Sequence, residues 1–277
     1  MVVVTAFHSS KGGVGKTNLA LNYAGYVVNE LGKTAWFIEM DWTLGNALSS
    51  FGHLRPPISV SEYILGNKSS ITDVLCDATA IFDNKSRQNS FNVALVTEEP
   101  EELNAINRRT LRVRSDEAML LRLIAIEEAA RKVEEDTEVP IEIIFDSTPG
   151  IEPMAIEAAT LSNQIIMISR PTRAQYREIS TIVSILRNIK LDPGKLGLVI
   201  NQVLGEPKDP RIIEVIREAQ ETSSVPVIGI INVLNGFEDA IYTFGDRPER
   251  ILRVDPTDAH ITRQVLTKIC RDITAYF

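Results

Sequence analysis

Apolar and polar positions follow two different periods along the chain. Short apolar runs predict buried strands at residues 2–7, 33–39, 91–97, 140–146, 164–170, 196–200 and 225–231. In segments 18–31, 115–136, 173–189 and 261–277, apolar residues recur every three or four positions, which is typical of a helix with one buried face. Because strands that alternate with helices form parallel sheets, the pattern predicts an α/β fold. We expect a mostly parallel twisted sheet flanked by helices on both faces, in three α/β/α layers.

The composition is that of an ordinary globular protein. With 44% hydrophobic and 24% charged residues among 277, the chain can bury one large core, and we expect a single domain over residues 1–277. Its longest apolar runs are far shorter than the ~20 residues that cross a bilayer. The chain also starts with a predicted strand rather than a leader sequence. These features predict a soluble, cytoplasmic protein.

The net charge and the placement of the cysteines and histidines disfavour several classes of function. A net charge of −8 argues against a protein whose whole surface binds nucleic acid, although a local basic patch is compatible with it. The two cysteines, Cys76 and Cys270, and the three histidines, His8, His53 and His260, are scattered along the sequence. Their spacing predicts neither a disulfide framework nor a metal cluster. The metal we expect is Mg²⁺ that arrives with a nucleotide.

A glycine-rich loop joins the first predicted strand to the first predicted helix. Gly12, Gly13 and Gly15 allow backbone N–H groups to close around an anion, and the following helix start adds positive potential. Lys16 supplies a charge for the β and γ phosphates, and Thr17 supplies a hydroxyl for Mg²⁺. The predicted nucleotide contacts in this stretch are Gly12, Gly13, Val14, Gly15, Lys16, Thr17 and Asn18. The loop therefore predicts a nucleoside triphosphate site.

The loop departs from the usual P-loop pattern at its front. Ser10 stands where that pattern has its first glycine, and a second lysine, Lys11, follows it. The stretch from Lys11 to Thr17 resembles the deviant Walker A loop of the ParA/MinD family of ATPases. The resemblance implies a P-loop NTPase fold that binds ATP or ADP with Mg²⁺. It also implies that two copies form a homodimer around bound ATP, in which Lys11 reaches the partner's phosphates.

Two acidic residues follow the second predicted strand. Ligands of open α/β sheets lie beyond the carboxyl ends of the strands, which places Asp41 near the phosphates. The segment resembles the first switch of the ParA/MinD family. On that resemblance Asp41 orients the attacking water and helps to hold Mg²⁺, and Asn46 contacts the switch or the partner subunit. Glu39 stands where the family commonly has an aspartate, and its role is left open.

A second acidic motif follows the strand at residues 140–146. Asp146 ends this strand in the manner of a Walker B aspartate, which holds Mg²⁺ through water or through Thr17. The segment resembles the second switch of MinD-like proteins, which implies that the Gly150 N–H senses the γ phosphate. The resemblance also implies that Asn201 hydrogen-bonds the adenine and that residues 237–248 close over the base.

Three surface features leave alternatives open. The arginines that could contact DNA or an acidic protein are Arg108, Arg109, Arg112 and Arg114 in one cluster and Arg173, Arg177 and Arg187 on a helix. We favour a solvated face for both sets, with DNA phosphates or a regulator as the alternative. The last predicted helix carries an apolar stripe that suits packing on the sheet or, less in favour, a membrane surface.

The leading hypothesis is an ATPase switch of the ParA/MinD type, with Lys11, Lys16 and Asp41 as its catalytic residues. Its proposed task is the spatial organisation or partition of DNA or another large cargo, with a protein activator as a further partner. The alternatives are a metal-centre or client carrier, a membrane-surface regulator, and a metabolic P-loop synthetase. The lack of a paired-cysteine motif counts against the carrier, and Lys11 counts against the synthetase.

Overall fold

One twisted sheet forms the centre of the computed structural model. The structure describes residues 1–41, 47, 51, 56–82, 88–96, 116–189, 192, 195–205, 209–232 and 256–277, with backbone alone at 81–82, 116–118 and 256–263. Its strands are β1 Val3–Ser9, β2 Thr34–Glu39, β3 Cys76–Asp77, β4 Phe91–Ala94, β5 Ile141–Asp146, β6 Gln164–Ser169, β7 Leu196–Val203 and β8 Val227–Asn232. They are ordered β3-β4-β2-β5-β1-β6-β7-β8. Every neighbouring pair is parallel except β3 and β4, which are antiparallel.

Helices cover both faces of the sheet. They are α1 Lys16–Asn29, α2 Val60–Ile64, α3 Asp116–Thr137, α4 Pro153–Leu161, α5 Arg173–Asn188, α6 Pro210–Ser223 and α7 Pro256–Tyr276, with short 3-10 turns at Ile71–Asp73 and Thr79–Phe82. One apolar core lies under α2 to α6, and a second lies under α1 and α7. The predicted three-layer, mostly parallel α/β fold is therefore confirmed.

Element boundaries differ from the sequence predictions, and three helices, α2, α4 and α6, and strand β3 are additional to them. Strand β4 ends at Ala94 rather than at residue 97, and α1 starts at Lys16, two residues earlier than predicted. Helices α4 and α6 were not predicted, although both carry the signal of a proline at the helix start. In α6, Asp209 also caps the helix, because its side chain accepts a hydrogen bond from the Arg211 N–H.

The sheet brings the carboxyl ends of three neighbouring strands together. Phe7 of β1 and Glu39 of β2 both stand in register with Asp146, the last residue of β5. Beyond the strand ends, the Met40 N–H donates to the Asp146 carbonyl at 2.9 Å, and the Ser147 N–H donates to the Phe7 carbonyl at 3.1 Å. Three segments far apart in sequence thus meet at one edge of the sheet, as the parallel topology requires.

The last helix packs on the sheet. Leu266, Ile269, Cys270 and Ile273 of α7 are buried in the core that α1 shares, and the Tyr276 hydroxyl donates to the Leu196 carbonyl at 3.2 Å. This burial agrees with the packing interpretation of the apolar stripe. Within the described ranges, no helix combines the length and hydropathy needed to cross a membrane.

Candidate functional site

The loop after β1 has a conformation that suits an anion. Gly13 and Gly15 have φ angles of +72° and +91°, which glycine adopts without the strain that a side chain would cause. Gly15 is the N-cap of α1, and neither a side-chain cap nor an acidic residue occupies the first turn of that helix. Next to Gly12, a Cβ atom would meet nothing within 4 Å. The loop thus presents a helix N-terminus and open space beside its backbone, as a phosphate ligand needs.

The lysine at the helix start is paired with the acid at the end of β5. Lys16 Nζ contacts Asp146 Oδ1, with side-chain exposures of 7% and 0%, so the ion pair is buried. The Thr17 hydroxyl donates to Asp146 Oδ2 at 2.7 Å. The two carboxylate oxygens of Asp146 therefore each contact one of the two residues that follow Gly15, with Oδ1 at Lys16 and Oδ2 at Thr17. The structure brings these three predicted site residues together.

Thr17 and Asp146 have the chemistry that Mg²⁺ prefers. A hydroxyl and a carboxylate oxygen lie within hydrogen-bonding distance of each other at the mouth of the loop. Among the described residues, no group of three or more His, Cys, Asp or Glu side chains is placed to enclose a metal. Mg²⁺ is commonly held by one or two protein oxygens together with substrate phosphates, rather than by a closed protein cage. The residues present therefore fit a magnesium ion that is bound with a nucleotide.

The two acids after β2 have different surroundings. Asp41 is 8% exposed and lies two residues beyond the strand end, at the edge where the site is built. Glu39 is fully buried, and its Oε1 and Oε2 accept hydrogen bonds from the backbone N–H groups of Ala47 at 2.8 Å and Val96 at 2.9 Å. Burial raises the pKa of Glu39 to about 8. Glu39 thus joins the chain after β2 to the end of β4. Asn46, the predicted contact to the switch or to the partner subunit, lies outside the described residues.

The predicted γ-phosphate sensor makes a backbone hydrogen bond in this structure. Gly150 has a φ of +89°, and its N–H donates to the Ser9 carbonyl at 2.8 Å. A Cβ atom on Gly150 would stand 3.9 Å from the Ser10 carbonyl oxygen, so the turn passes close to the glycine loop. For the Gly150 N–H to reach a phosphate, this turn has to rotate away from Ser9. Its role as a sensor stays a prediction.

The front lysine pairs with a residue of its own chain. Lys11 Nζ lies 2.9 Å from Glu178 Oε1 of α5, with side-chain exposures of 56% and 38%. The ammonium group thus lies at the surface, beside the glycine loop, and is not buried in the way that Lys16 is. The partner-directed role of Lys11 stays a prediction.

Asn201 contacts the glycine loop. Its Nδ2 donates to the Val14 carbonyl at 2.8 Å, and its Oδ1 accepts from the Gln202 N–H at 2.8 Å. Asn201 is 1% exposed, and Gln202 has a φ of +60°. In this structure Asn201 therefore holds the glycine loop through the Val14 carbonyl. Its adenine contact stays a prediction, and the base loop predicted at 237–248 lies outside the described residues, as does the cluster of arginines at 108–114.

Sequence reasoning missed two residues at this edge. Arg170, directly after β6, donates from Nη2 to the Gly13 carbonyl at 2.6 Å. A single arginine at a strand end has no distinctive sequence signal, so only the fold reveals the contact. His8 is fully buried in β1, and neither ring nitrogen has a hydrogen-bond partner of good geometry among the described residues. Burial and the charge of Lys16 lower the pKa of His8 to about 4 and outweigh the opposing effect of the Gly150 backbone.

Comparisons with known proteins agree with this geometry. The model of a family described as AAA domain matches residues 2–196. The septum site-determining protein MinD of Synechocystis is 26% identical over 231 residues, which cover 83% of this chain and 75% of that protein. The structure of MinD from Pyrococcus horikoshii complexed with Mg-ADP has a TM-score of 0.67 at 15% identity and covers 99% of this chain and 96% of that chain. A ParA family ATPase from Chlorobium tepidum has a TM-score of 0.66 at 11% identity and covers 97% of this chain and 98% of that chain. The two solved structures show that the fold is shared.

Removal of the Asp146 carboxylate will destabilise the nucleotide-free protein strongly. In Asp146→Ala, the buried Lys16 ammonium loses its counter-ion, and such a loss typically costs about 3–5 kcal/mol. Asp272→Ala is the matched control, because Asp272 pairs with Lys268 at 3.1 Å on the exposed side of α7. The control will change the free energy of unfolding by about 1 kcal/mol or less. Urea denaturation measures both changes, and equal losses in the two variants would contradict a buried, energetically coupled pair.

His8 will make the protein sensitive to mild acid. The folded-state pKa of about 4 lies below the ordinary value of 6.5, so only the unfolded state takes up this proton between those two values. The free energy of unfolding should therefore fall by about 2 kcal/mol between pH 7 and pH 5 through this one group. In His8→Gln this part of the loss will be missing. Denaturant titrations at both pH values measure it, and an identical pH dependence in the two proteins would disprove the assignment to His8.

Proposed function

The chain belongs to the AAA domain family and is a P-loop ATPase of the ParA/MinD type, and from this premise we propose that it is a switch that dimerises around Mg-ATP. The observation that carries the proposal is the group formed by Lys16, Thr17 and Asp146 at the end of a glycine loop that also bears Lys11. The first three residues supply what a nucleotide phosphate and Mg²⁺ need. Lys11 supplies a cation that a simple nucleotide site has no need of.

The residues divide the chemistry between binding and charge stabilisation. The backbone N–H groups from Gly12 to Thr17 take the phosphates, and the Lys16 ammonium moves from Asp146 to the β and γ phosphates when ATP binds. Thr17 and Asp146 hold Mg²⁺, which neutralises charge that develops on the phosphates. Asp41, at the same edge of the sheet, orients the attacking water. Because no covalent intermediate is required, hydrolysis depends on positioning, and we expect it to be slow without an activator.

The Lys11–Glu178 pair suits the ADP-bound or nucleotide-free monomer. An exposed ion pair of this kind contributes at most about 1 kcal/mol, so it restrains Lys11 without trapping it. Triphosphate on a second subunit offers a stronger partner, because phosphate carries more charge than one carboxylate. Lys11 then leaves Glu178 and joins the other subunit's phosphates, and ATP thereby couples binding to dimerisation.

Dimer formation will depend on ATP and on Lys11. Light scattering should give twice the monomer mass with Mg-ATP and the monomer mass with Mg-ADP, and Lys11→Ala should stay monomeric with both nucleotides. Lys268→Ala serves as the control, since Lys268 is an exposed lysine of α7 that pairs with Asp272. Glu178→Gln frees Lys11, and its dimer should form at about two- to fivefold lower protein concentration. Equal masses for wild type and Lys11→Ala in ATP would refute the switch.

We further propose that the ATP-bound form acts on the position or partition of a large cargo, with DNA as the first candidate. Arg173 and Arg177 lie exposed on α5, the helix that also carries Glu178. Two exposed arginines one helical turn apart can displace counter-ions from DNA phosphates even in a chain with a net charge of −8, although DNA has to compete with Glu218, whose Oε1 lies 3.7 Å from Arg173 Nε. The burial of the α7 stripe counts against the alternative of a membrane-surface regulator.

The DNA proposal predicts binding that depends on ATP, on salt and on these arginines. Wild type with Mg-ATP should retard nonspecific duplex at low salt, and the retardation should weaken steeply as salt is added. The double variant Arg173→Glu, Arg177→Glu should lose the shift while it still dimerises in ATP. Lys132→Glu, a charge reversal on α3, controls for overall charge. Absence of a shift at low salt would remove DNA as the cargo and leave the ATPase assignment intact.

A further inference from the structure

The arginine after β6 has an unusual partner. Arg170 is exposed, yet its Nη2 is fixed at 2.6 Å from the Gly13 carbonyl oxygen of the glycine loop. The same atom is the nearest neighbour of the position that a Gly13 Cβ would occupy, at 3.8 Å. An exposed arginine that points at a carbonyl rather than at a carboxylate gains little for general stability. The contact is therefore more important for the conformation of the glycine loop than for the free energy of unfolding.

The backbone of Arg170 is held firmly by the first turn of α5. Its N–H donates to Oε1 of Gln175 at 2.8 Å, and its carbonyl accepts from the Thr172 N–H at 2.7 Å. Gln175 is 9% exposed and is itself anchored, because its N–H donates to the capping hydroxyl of Thr172. Because the backbone of Arg170 is held in place, its guanidinium restrains the Gly13 carbonyl to which it donates.

A fixed carbonyl determines where the next N–H points. In a trans peptide, the C=O and N–H bonds point in opposite directions, and the peptides of the described residues, the glycine loop among them, are trans. Arg170 holds the Gly13 carbonyl, so the Val14 N–H points away from the guanidinium. Asn201 holds the Val14 carbonyl at 2.8 Å and directs the Gly15 N–H in the same manner. Two successive peptides of a phosphate-binding loop are thereby oriented by two side chains that hold only their carbonyls.

We infer that Arg170 is a positioning residue of the nucleotide site, which orients the Val14 N–H toward the phosphates by holding the Gly13 carbonyl. This inference rests on the proposed nucleotide binding. Glycines at 13 and 15 make the loop permissive, and a permissive loop loses conformational entropy when it closes on an anion. A carbonyl held in advance removes part of that loss. Because backbone N–H groups of such loops take the α and β phosphates, Arg170 assists ADP and ATP alike.

The test is nucleotide affinity in two Arg170 variants. Arg170→Met keeps the length of the stem and removes the donors, and it should weaken both Mg-ADP and Mg-ATP by about the same factor, roughly tenfold. Arg170→Lys keeps a donor of similar reach and should restore most of the affinity. Fluorescent analogues of both nucleotides give the dissociation constants, and they should be measured on monomeric protein, in a Lys11→Ala background, so that dimerisation does not contribute.

The matched control is another arginine that donates to a carbonyl. Arg122 Nη1 donates to the Lys68 carbonyl at 2.7 Å, and its guanidinium lies 5.1 Å from the centre of the Tyr63 ring, away from the glycine loop. Arg122→Met should lower the melting temperature and leave both dissociation constants unchanged. For Arg170→Met, affinities equal to those of the parent protein, or a loss for ATP alone, would overturn the inference. Failure of the parent protein to bind either nucleotide would instead overturn the proposed function.

Discussion

The site depends on a buried charge pair that the fold places at one strand end. Removing Lys16 and Asp146 from water costs several kcal/mol for each ion, and their attraction offsets this cost only when the geometry is good. The geometry is good because α1 begins directly after the loop that follows β1, while Asp146 ends the neighbouring strand β5. Thr17 satisfies the second carboxylate oxygen. A hydrophobic pair would stabilise the edge of the sheet equally well, but it could not make the exchange for phosphate and Mg²⁺ that the proposed function requires.

The parts of this arrangement that are local in sequence could be predicted, and the parts that depend on contacts across the sheet could not. The glycine loop, Lys16, Thr17 and Asp146 each lie within a short motif, and strand order brings them together in any sheet of this kind. Glu39 and Arg170 have no such motif, because their partners lie in other segments of the chain: Ala47 and Val96 in one case, Gly13 in the other. Helices α4 and α6 were missed for a different reason. Helix α4 is only 9 residues long, which is too short for a helical period to show clearly. Helix α6 is 14 residues long, and its proline start and Asp209 cap were signals that the sequence already carried.

Helix α5 is connected to the glycine loop through two side-chain contacts. Its first turn fixes Arg170 through Gln175, and its second turn carries Glu178, which holds Lys11. Both contacts end on the glycine loop, at Gly13 and at Lys11. The opposite face of α5 is buried in the core, so the helix cannot shift freely. The two side-chain contacts therefore anchor the glycine loop to a rigid element. A partner that binds the exposed face of α5 therefore lies one side chain away from the glycine loop.

The glutamate at position 39 has a structural consequence that an aspartate could not reproduce unchanged. Its carboxyl oxygens accept one N–H from Ala47 and one from Val96, and these two bonds join the segment after β2 to the end of β4. An aspartate is one methylene shorter and could reach both donors only if the strand ends moved closer. Asp41 lies two residues further on, in the chain that Glu39 restrains at its far end. The position of Asp41, the carboxylate to which we assign the attacking water, is thus set by the strand before it and by a buried glutamate whose hydrogen bonds are to the backbone.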